Sequence, residues 1–350
     1  METALTPALP ETVGSEAALD HLLARPRPAL VAFIRTVSSP LIILGAGGKM
    51  GPTLAALARR AAEAAGHKLE VIAVSRFSNA NARRWLEERG VKTITADLLR
   101  SDEARRLPDA ENLIFMVGLK FGTSESPALT WAINTLVPAH AMQRYARSRI
   151  TALSTGNVYP LTPVKSAGSD ESDSLTPHGE YSNATVGRER IFEFYSRQDG
   201  TPVVLLRLFY ATELRYGVLR DIADRIWTNQ PVDLTSGHFN CIWQGDANEM
   251  ILRSLPLAAS PPMAFNLTSP EIFSVRSVAE RLGKLLDRPV RFAGVESDNA
   301  LLGNTTRLCS RLGAPPMPSD TMLRWTAHWV RTGGHSLGKP THFDVRDGRY

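Results

Sequence analysis

The chain has 350 residues, 43% of them hydrophobic and 21% charged, with a formal net charge of +5. That composition excludes a disordered or fibrous chain and is enough for one large or two modest cores. Nowhere do about eighteen apolar residues run together, so no membrane span is expected; the arginines recur along helical patterns, as in Arg59-Arg60 and Arg83-Arg84, rather than clustering with aromatics, so no nucleic-acid partner is expected either.

Residues 1–39 are punctuated by prolines and carry two short amphipathic pieces, Glu16 to Leu23 and Ala29 to Val37. They are expected to form an arm packed on a domain that begins at Pro40. The start of the chain shows no basic region followed by an apolar one, and Cys241 and Cys309 are too few for a disulfide framework. Both features fit a soluble protein of a reducing, cytoplasmic compartment.

From Pro40 the apolar strand Leu41 to Leu44 runs into glycines spaced three apart, Gly45, Gly48 and Gly51, and then into the Ala-rich helix Pro52 to Ala65. A strand, a glycine turn and a helix N-terminus make a pyrophosphate site: the first glycine permits the turn, the second admits the anion close to the backbone, and the third lets helix pack on strand. The helix N–H groups and dipole then favour the charge. A phosphate-loop NTPase is excluded, because Ile43 stands where its first Gly belongs and Met50 where its hydroxyl belongs. Lys49 adds a cation inside the loop, next to those phosphates.

Strand and helix patterns then alternate for about 170 residues. Strands are expected at Leu41 to Leu44, Leu69 to Val74, Lys92 to Thr95, Asn112 to Val117, Ile150 to Ser154 and Pro202 to Leu208, which makes an α/β fold, a doubly wound parallel sheet. Ligands of such sheets bind beyond the carboxyl ends of the strands. Arg76 follows the second strand, where a cation reads the 2′-phosphate of NADP and a carboxylate would read the ribose of NAD; NADP is therefore expected, with NAD possible. Asp97 and Leu98 follow the third strand, in reach of an adenine. Val117, Gly118 and Lys120 follow the fourth, and Ser154-Thr155-Gly156-Asn157-Val158-Tyr159 the fifth. A further helix opens at Glu180-Tyr181.

Together these residues resemble the extended short-chain dehydrogenase/reductase family, the epimerase and dehydratase group. The resemblance rests on the triple-Gly spacing, Ala96-Asp97-Leu98, the stretch 154–159, Tyr181 at the head of a helix and Asn134 in an earlier one, and covers about residues 40–285. It implies a Rossmann-fold dinucleotide-binding domain (40–210 plus about 240–267) and a smaller substrate domain (about 211–239 plus 268–350). It also implies hydride transfer at a carbonyl or hydroxyl carbon of a sugar or sugar-derived small molecule, and a homodimer through the helices near 128–148 and 180–198. By the same resemblance Tyr181 is the proton donor or acceptor, Thr155 holds the substrate oxygen and Asn134 organises a proton path.

One position departs from the family. Its lysine four residues after the tyrosine, which orders the cofactor ribose and activates the phenol, is here Thr185. A threonine can bond a ribose but carries no charge, and a phenol without a cation beside it is a poor base at neutral pH and an adequate acid. Three readings follow: Lys120 supplies the missing cation; the enzyme is biased toward reduction; or the chain is a non-catalytic NAD(P)-binding sensor or scaffold. Tyr210 also stands where the family has Asn after Arg207, which favours a small polyhydroxylated compound over a nucleotide sugar. Further on, Ser274 is expected to cap an amphipathic helix Val275 to Leu286, and a last helix is expected near Asp320 to Arg331. No metal-ligand spacing occurs.

Overall fold

The computed structural model describes residues 8–120, 122–123, 125–339 and 341–348. Its centre is a sheet of seven parallel strands: β1 (Leu41–Leu44), β2 (Val71–Ser75), β3 (Lys92–Thr95), β4 (Asn112–Phe115), β5 (Arg149–Thr155), β6 (Val203–Leu208) and β7 (Met263–Leu267), in the spatial order β7-β6-β5-β4-β1-β2-β3. Most strand positions match the sequence pattern. β2 instead runs one residue further, because Ser75 pairs with Thr95, and β4 ends at Phe115, where the chain turns under Gly45.

Two helices precede the sheet, α1 (Glu16–Leu23) and α2 (Pro28–Ile34). The glycine turn leads into α3 (Gly51–Ala64), followed by α4 (Ala80–Glu87), α5 (Ser101–Arg105), α6 (Pro127–Arg144) and α7 (Gly179–Asp199). Strand geometry sends successive side chains to opposite faces. Leu41 and Ile43 accordingly pack with Leu54, Leu57 and Ala58 of α3, while Ile42 and Leu44 pack with Val137 of α6 and Phe192 of α7.

The remaining helices are α8 (Val218–Trp227), α9 (Gln244–Arg253), α10 (Val275–Leu286), α11 (Thr306–Leu312) and α12 (Ser319–Arg331). Ser274 caps α10 through Ser277 N at 3.3 Å, as its sequence predicts. Side chains of α8, α10 and α12 form a second core with Phe239, Trp243 and Phe273. The N-terminal arm is shared between the cores, which differs from the expectation: Leu19 and Leu23 of α1 join the second, and Leu30 and Ile34 of α2 join α3. Strand Cys241–Trp243 also departs from expectation, pairing with Tyr210–Thr212 in its own ladder; the chain returns to the sheet through α9, packed on α3, and through β7.

Candidate active site

β1 has β2 on one side and β4 on the other, so the crossovers leave it in opposite directions and a crevice opens above its carboxyl end. Gly45 stands there with φ +85°, and a Cβ on it would lie 2.8 Å from Val117 N. At Gly51 a Cβ would lie 2.4 Å from the Ala46 carbonyl oxygen. Both positions therefore require glycine for the backbone to pass. α3 has no side-chain cap, so its first N–H groups are left for an anion. A cavity of about 240 Å³ runs from Gly45, Gly47 and Gly48 across Ser75, Arg76 and Phe77 to Asp97 and Leu98, and back to Val117 and Gly118. Its glycine turn and its lining fit a dinucleotide.

A second cavity, of about 260 Å³, adjoins the first and shares Gly45, Gly48, Met116 and Gly118 with it. Thr155 and Tyr181 line it, with Met50, Gly51, Asn157, Lys120, Tyr210 and Tyr216. The Thr155 hydroxyl accepts from Asn157 N at 3.2 Å, which fixes it at the end of β5. Lys49 lines this second cavity together with Gly45, Gly48, Met50 and Gly51 of the glycine turn: its Nζ donates to the Ala211 carbonyl at 2.8 Å and lies 3.8 Å from the centre of the Tyr216 ring. Lys120 Nζ lies 3.3 Å from the Thr341 carbonyl and 5.8 Å from the Tyr210 ring centre.

Thr185 departs from its expected place on the ribose. It is fully buried, and its hydroxyl donates to the Tyr181 carbonyl at 2.9 Å, one turn back along α7. A cation on the same helix, which the sequence reading passed over, is Arg188, whose charge interacts with Tyr181. Its Nη1 donates to the Leu153 carbonyl at 2.8 Å and its Nη2 to Asn134 Oδ1. A Cβ at position 118 would sit 2.4 Å from that Nη2, so the guanidinium lies directly against the loop that borders both cavities. Burial pushes Arg188 below its ordinary range, opposed by the charges of Tyr181 and Glu189, and its Nε has no hydrogen-bond partner. Asn134 completes the arrangement by donating to Leu119 O at 3.3 Å and Thr130 O at 2.8 Å. Tyr181, Thr185 and Arg188 are spaced i, i+4 and i+7, one helix face, and that spacing was the available signal.

Beneath the cavities Glu189 accepts from Ser154 Oγ at 2.5 Å and forms a paired contact with Arg207, at 3.0 and 2.8 Å. Arg207 reaches the Tyr159 hydroxyl at 2.5 Å, and Tyr159 donates to Asn266 Oδ1 at 3.0 Å. This network pins α7 to β5, β6 and β7, and so holds Tyr181 and Thr155 at one sheet edge.

Residues 41–212 match the family described as NAD dependent epimerase/dehydratase family. Similar solved structures include a UDP-glucuronic acid 4-epimerase from Bacillus cereus in complex with NAD (15% identity, TM-score 0.70, covering 85% of this chain and 99% of that one). Others are a UDP-glucose 4-epimerase from Thermotoga maritima with UDP-glucose (16%, 0.69, 84% and 99%) and the UDP-Glc/GlcNAc 4-epimerase from Campylobacter jejuni (17%, 0.68, 85% and 99%). At these identities the likeness establishes the fold. A comparison with curated proteins gives no match.

Proposed function

Through residues 41–212 the chain belongs to the NAD dependent epimerase/dehydratase family of enzymes, and from that premise we propose that it transfers hydride at a hydroxyl-bearing carbon of a small, sugar-derived substrate. The observation that carries this reading is the junction of the two cavities at Gly45, Gly48, Met116 and Gly118, with Tyr181 and Thr155 on the substrate side. Gly45, Gly48 and the first turn of α3 would hold the pyrophosphate, Asp97 and Leu98 the adenine, and Val117 and Gly118 the far end. When bound, the dinucleotide supplies the acceptor or donor of hydride. Thr155 orients the reacting oxygen, and Tyr181 takes its proton on oxidation and returns it on reduction.

Arg188 takes the electrostatic place left empty by Thr185. Its guanidinium touches neither cavity and acts as a positioning residue, holding charge beside Tyr181 and holding the loop at Gly118. A reductase bias follows only from a Tyr181 without a cation; with Arg188 beside it, the phenol serves both directions. The non-catalytic alternative has no observation in its favour.

Arg76 supports NADP over NAD, because the cavity wall after β2 offers Ser75, Arg76, Ser78 and Asn79 and no carboxylate. Titration of both dinucleotides into the protein tests this. Arg76→Ala should weaken NADP about tenfold or more and leave NAD nearly unchanged; equal loss for both removes the phosphate-reading role. Tyr181→Phe should lower kcat about a hundredfold or more with dinucleotide binding retained, in line with the usual share of acid–base catalysis. A Tyr181→Phe protein with full turnover would overturn the mechanism.

A further inference from the structure

The arm that precedes the sheet lies outside the family match at 41–212, yet it supplies a charge to the helix that holds the glycine turn. α9 is buried along nearly its whole length. Gln244 and Asn248, four residues apart and so on one face, donate to Thr53 Oγ1 in the first turn of α3, both at 3.0 Å. On the opposite face Asp246 and Glu249 have side chains only 2% exposed. Arg27, at the start of α2, meets both: its Nη1 donates to Asp246 Oδ1 at 2.5 Å and its Nε to Glu249 Oε2 at 2.9 Å. Among the described residues no other cation pairs with Asp246, whose second oxygen accepts from Met317 N at 3.0 Å; Glu249 also faces Arg253 at 3.4 Å.

The arm gives Arg27 a fixed base. Pro10 O accepts from Trp325 Nε1 at 3.0 Å, Asp20 accepts from Trp85 Nε1 at 3.1 Å and pairs with Arg215 at 3.0 Å, and Leu30 and Ile34 pack into the core around α3. A carboxylate sealed from water needs a cation beside it; without one it takes up a proton, or its helix moves to reach water. We propose that Arg27 is a positioning residue of the dinucleotide site: by answering the buried carboxylates of α9 it keeps Gln244 and Asn248 on Thr53, and so keeps the first turn of α3 aimed at the pyrophosphate. The inference rests on the dinucleotide reading of the crevice above and goes beyond it by making the arm part of that site.

Burial pushes the Asp246 carboxyl up, and the charge of Arg27 opposes that push. With Arg27 removed the push is unopposed. Asp246 is then neutral at low pH, where α9 keeps its place, and that placement is lost as rising pH ionises it. The groups left facing Asp246 are the Met317 N–H, from the segment before α12, and Glu249 with its Arg253 along α9 itself. The defect of an Arg27 variant therefore grows with pH.

Calorimetric titration of the full chain with NADP and with NAD, at pH 6 and pH 8.5, tests the proposal, each variant first being checked for its fold by circular dichroism. At pH 8.5 Arg27→Met should bind both dinucleotides about tenfold more weakly than the parent, and at pH 6 less than about threefold more weakly, on the scale usual for coupling between separate sites. Arg27→Lys, one ammonium for two carboxylates, should fall between the parent and the methionine variant. Leu282→Ala, which opens a cavity in the second core, should lower the melting temperature and leave dinucleotide affinity unchanged. Parental affinity in Arg27→Met at pH 8.5, a deficit that is the same at both pH values, a lysine variant as weak as the methionine one, or an equal deficit in Leu282→Ala overturns the proposal. If the methionine variant does not keep its fold, the lysine variant decides: it should bind about threefold more weakly than the parent at pH 8.5, and parental affinity overturns the proposal. A parent protein that binds neither dinucleotide sinks the reading of the crevice and the proposal with it, whereas a parent that binds, beside an Arg27→Met protein that binds equally well, sinks the role of Arg27 alone.

Discussion

At the scale of single residues, the proposed role of Arg188 rests on the state of Thr185 one turn before it. A hydroxyl bonded to the carbonyl one turn back has no proton left for a ribose, and Thr185 is in that state. Arg188, one turn further along the same face, brings a guanidinium, which holds its proton more firmly than a lysine ammonium would in that place. Arg188→Met therefore should lower kcat about 10- to 100-fold with dinucleotide binding retained. Arg188→Lys should recover part of that loss. An unchanged kcat in the methionine variant would reduce Arg188 to a packing role. The same substitution strands the Leu153 carbonyl and Asn134 Oδ1, and each buried group left without a donor costs about 1 to 3 kcal/mol, so the variant should also melt earlier.

At the scale of elements, the glycine turn before α3 depends on a helix that arrives almost 200 residues later. Thr53 Oγ1, in the first turn of α3, receives hydrogen bonds from Gln244 Nε2 and Asn248 Nδ2 of α9, both at 3.0 Å, and donates to Met50 O at 3.1 Å. The hydroxyl is thus saturated, and the start of α3 is fixed in direction and rotation. Thr53→Val keeps the shape and removes the acceptor of two buried amides. The expected result is a loss of roughly 2 to 6 kcal/mol in urea unfolding, the sum for two stranded donors, with weaker dinucleotide binding. Stability unchanged within about 0.5 kcal/mol would mean that α9 is held by its apolar contacts alone.

At the scale of the whole molecule, an unpartnered surface remains on α6 and α7, where Leu129, Trp131, Leu136 and Phe194 are exposed. We infer a homodimer that packs these helices against their copies. Light scattering after gel filtration should give twice the chain mass, and Leu136→Glu with Phe194→Glu should give a monomer; a monomeric parent protein refutes it. Much of this architecture was legible in the sequence. The strand–glycine–helix pattern and the alternation of apolar runs are local signals, and they placed β1, β3, α1 and α10 where the chain folds them. Lys49 and Arg188 were not legible for one shared reason: a long side chain goes where tertiary contacts take it. Loop position put Lys49 at the glycine turn, but its ammonium meets Ala211 O and the Tyr216 ring, both far along the chain. Arg188 resembled an ordinary charged helix position until Asn134, Leu153 and Gly118 closed around it. The sharing of α1 and α2 between two cores escaped for the same reason, since proline-broken amphipathic segments do not state which apolar surface they cover.

The contact between Gly118 and Arg188 also couples two positions that lie far apart in the chain. A methyl group at 118 would press on a guanidinium that is anchored at Leu153 O and Asn134 Oδ1. Alanine at 118 should therefore be tolerated better beside a short residue at 188 than beside Arg188. Libraries that vary the loop at 117–120 to redirect specificity should accordingly vary position 188 in the same step.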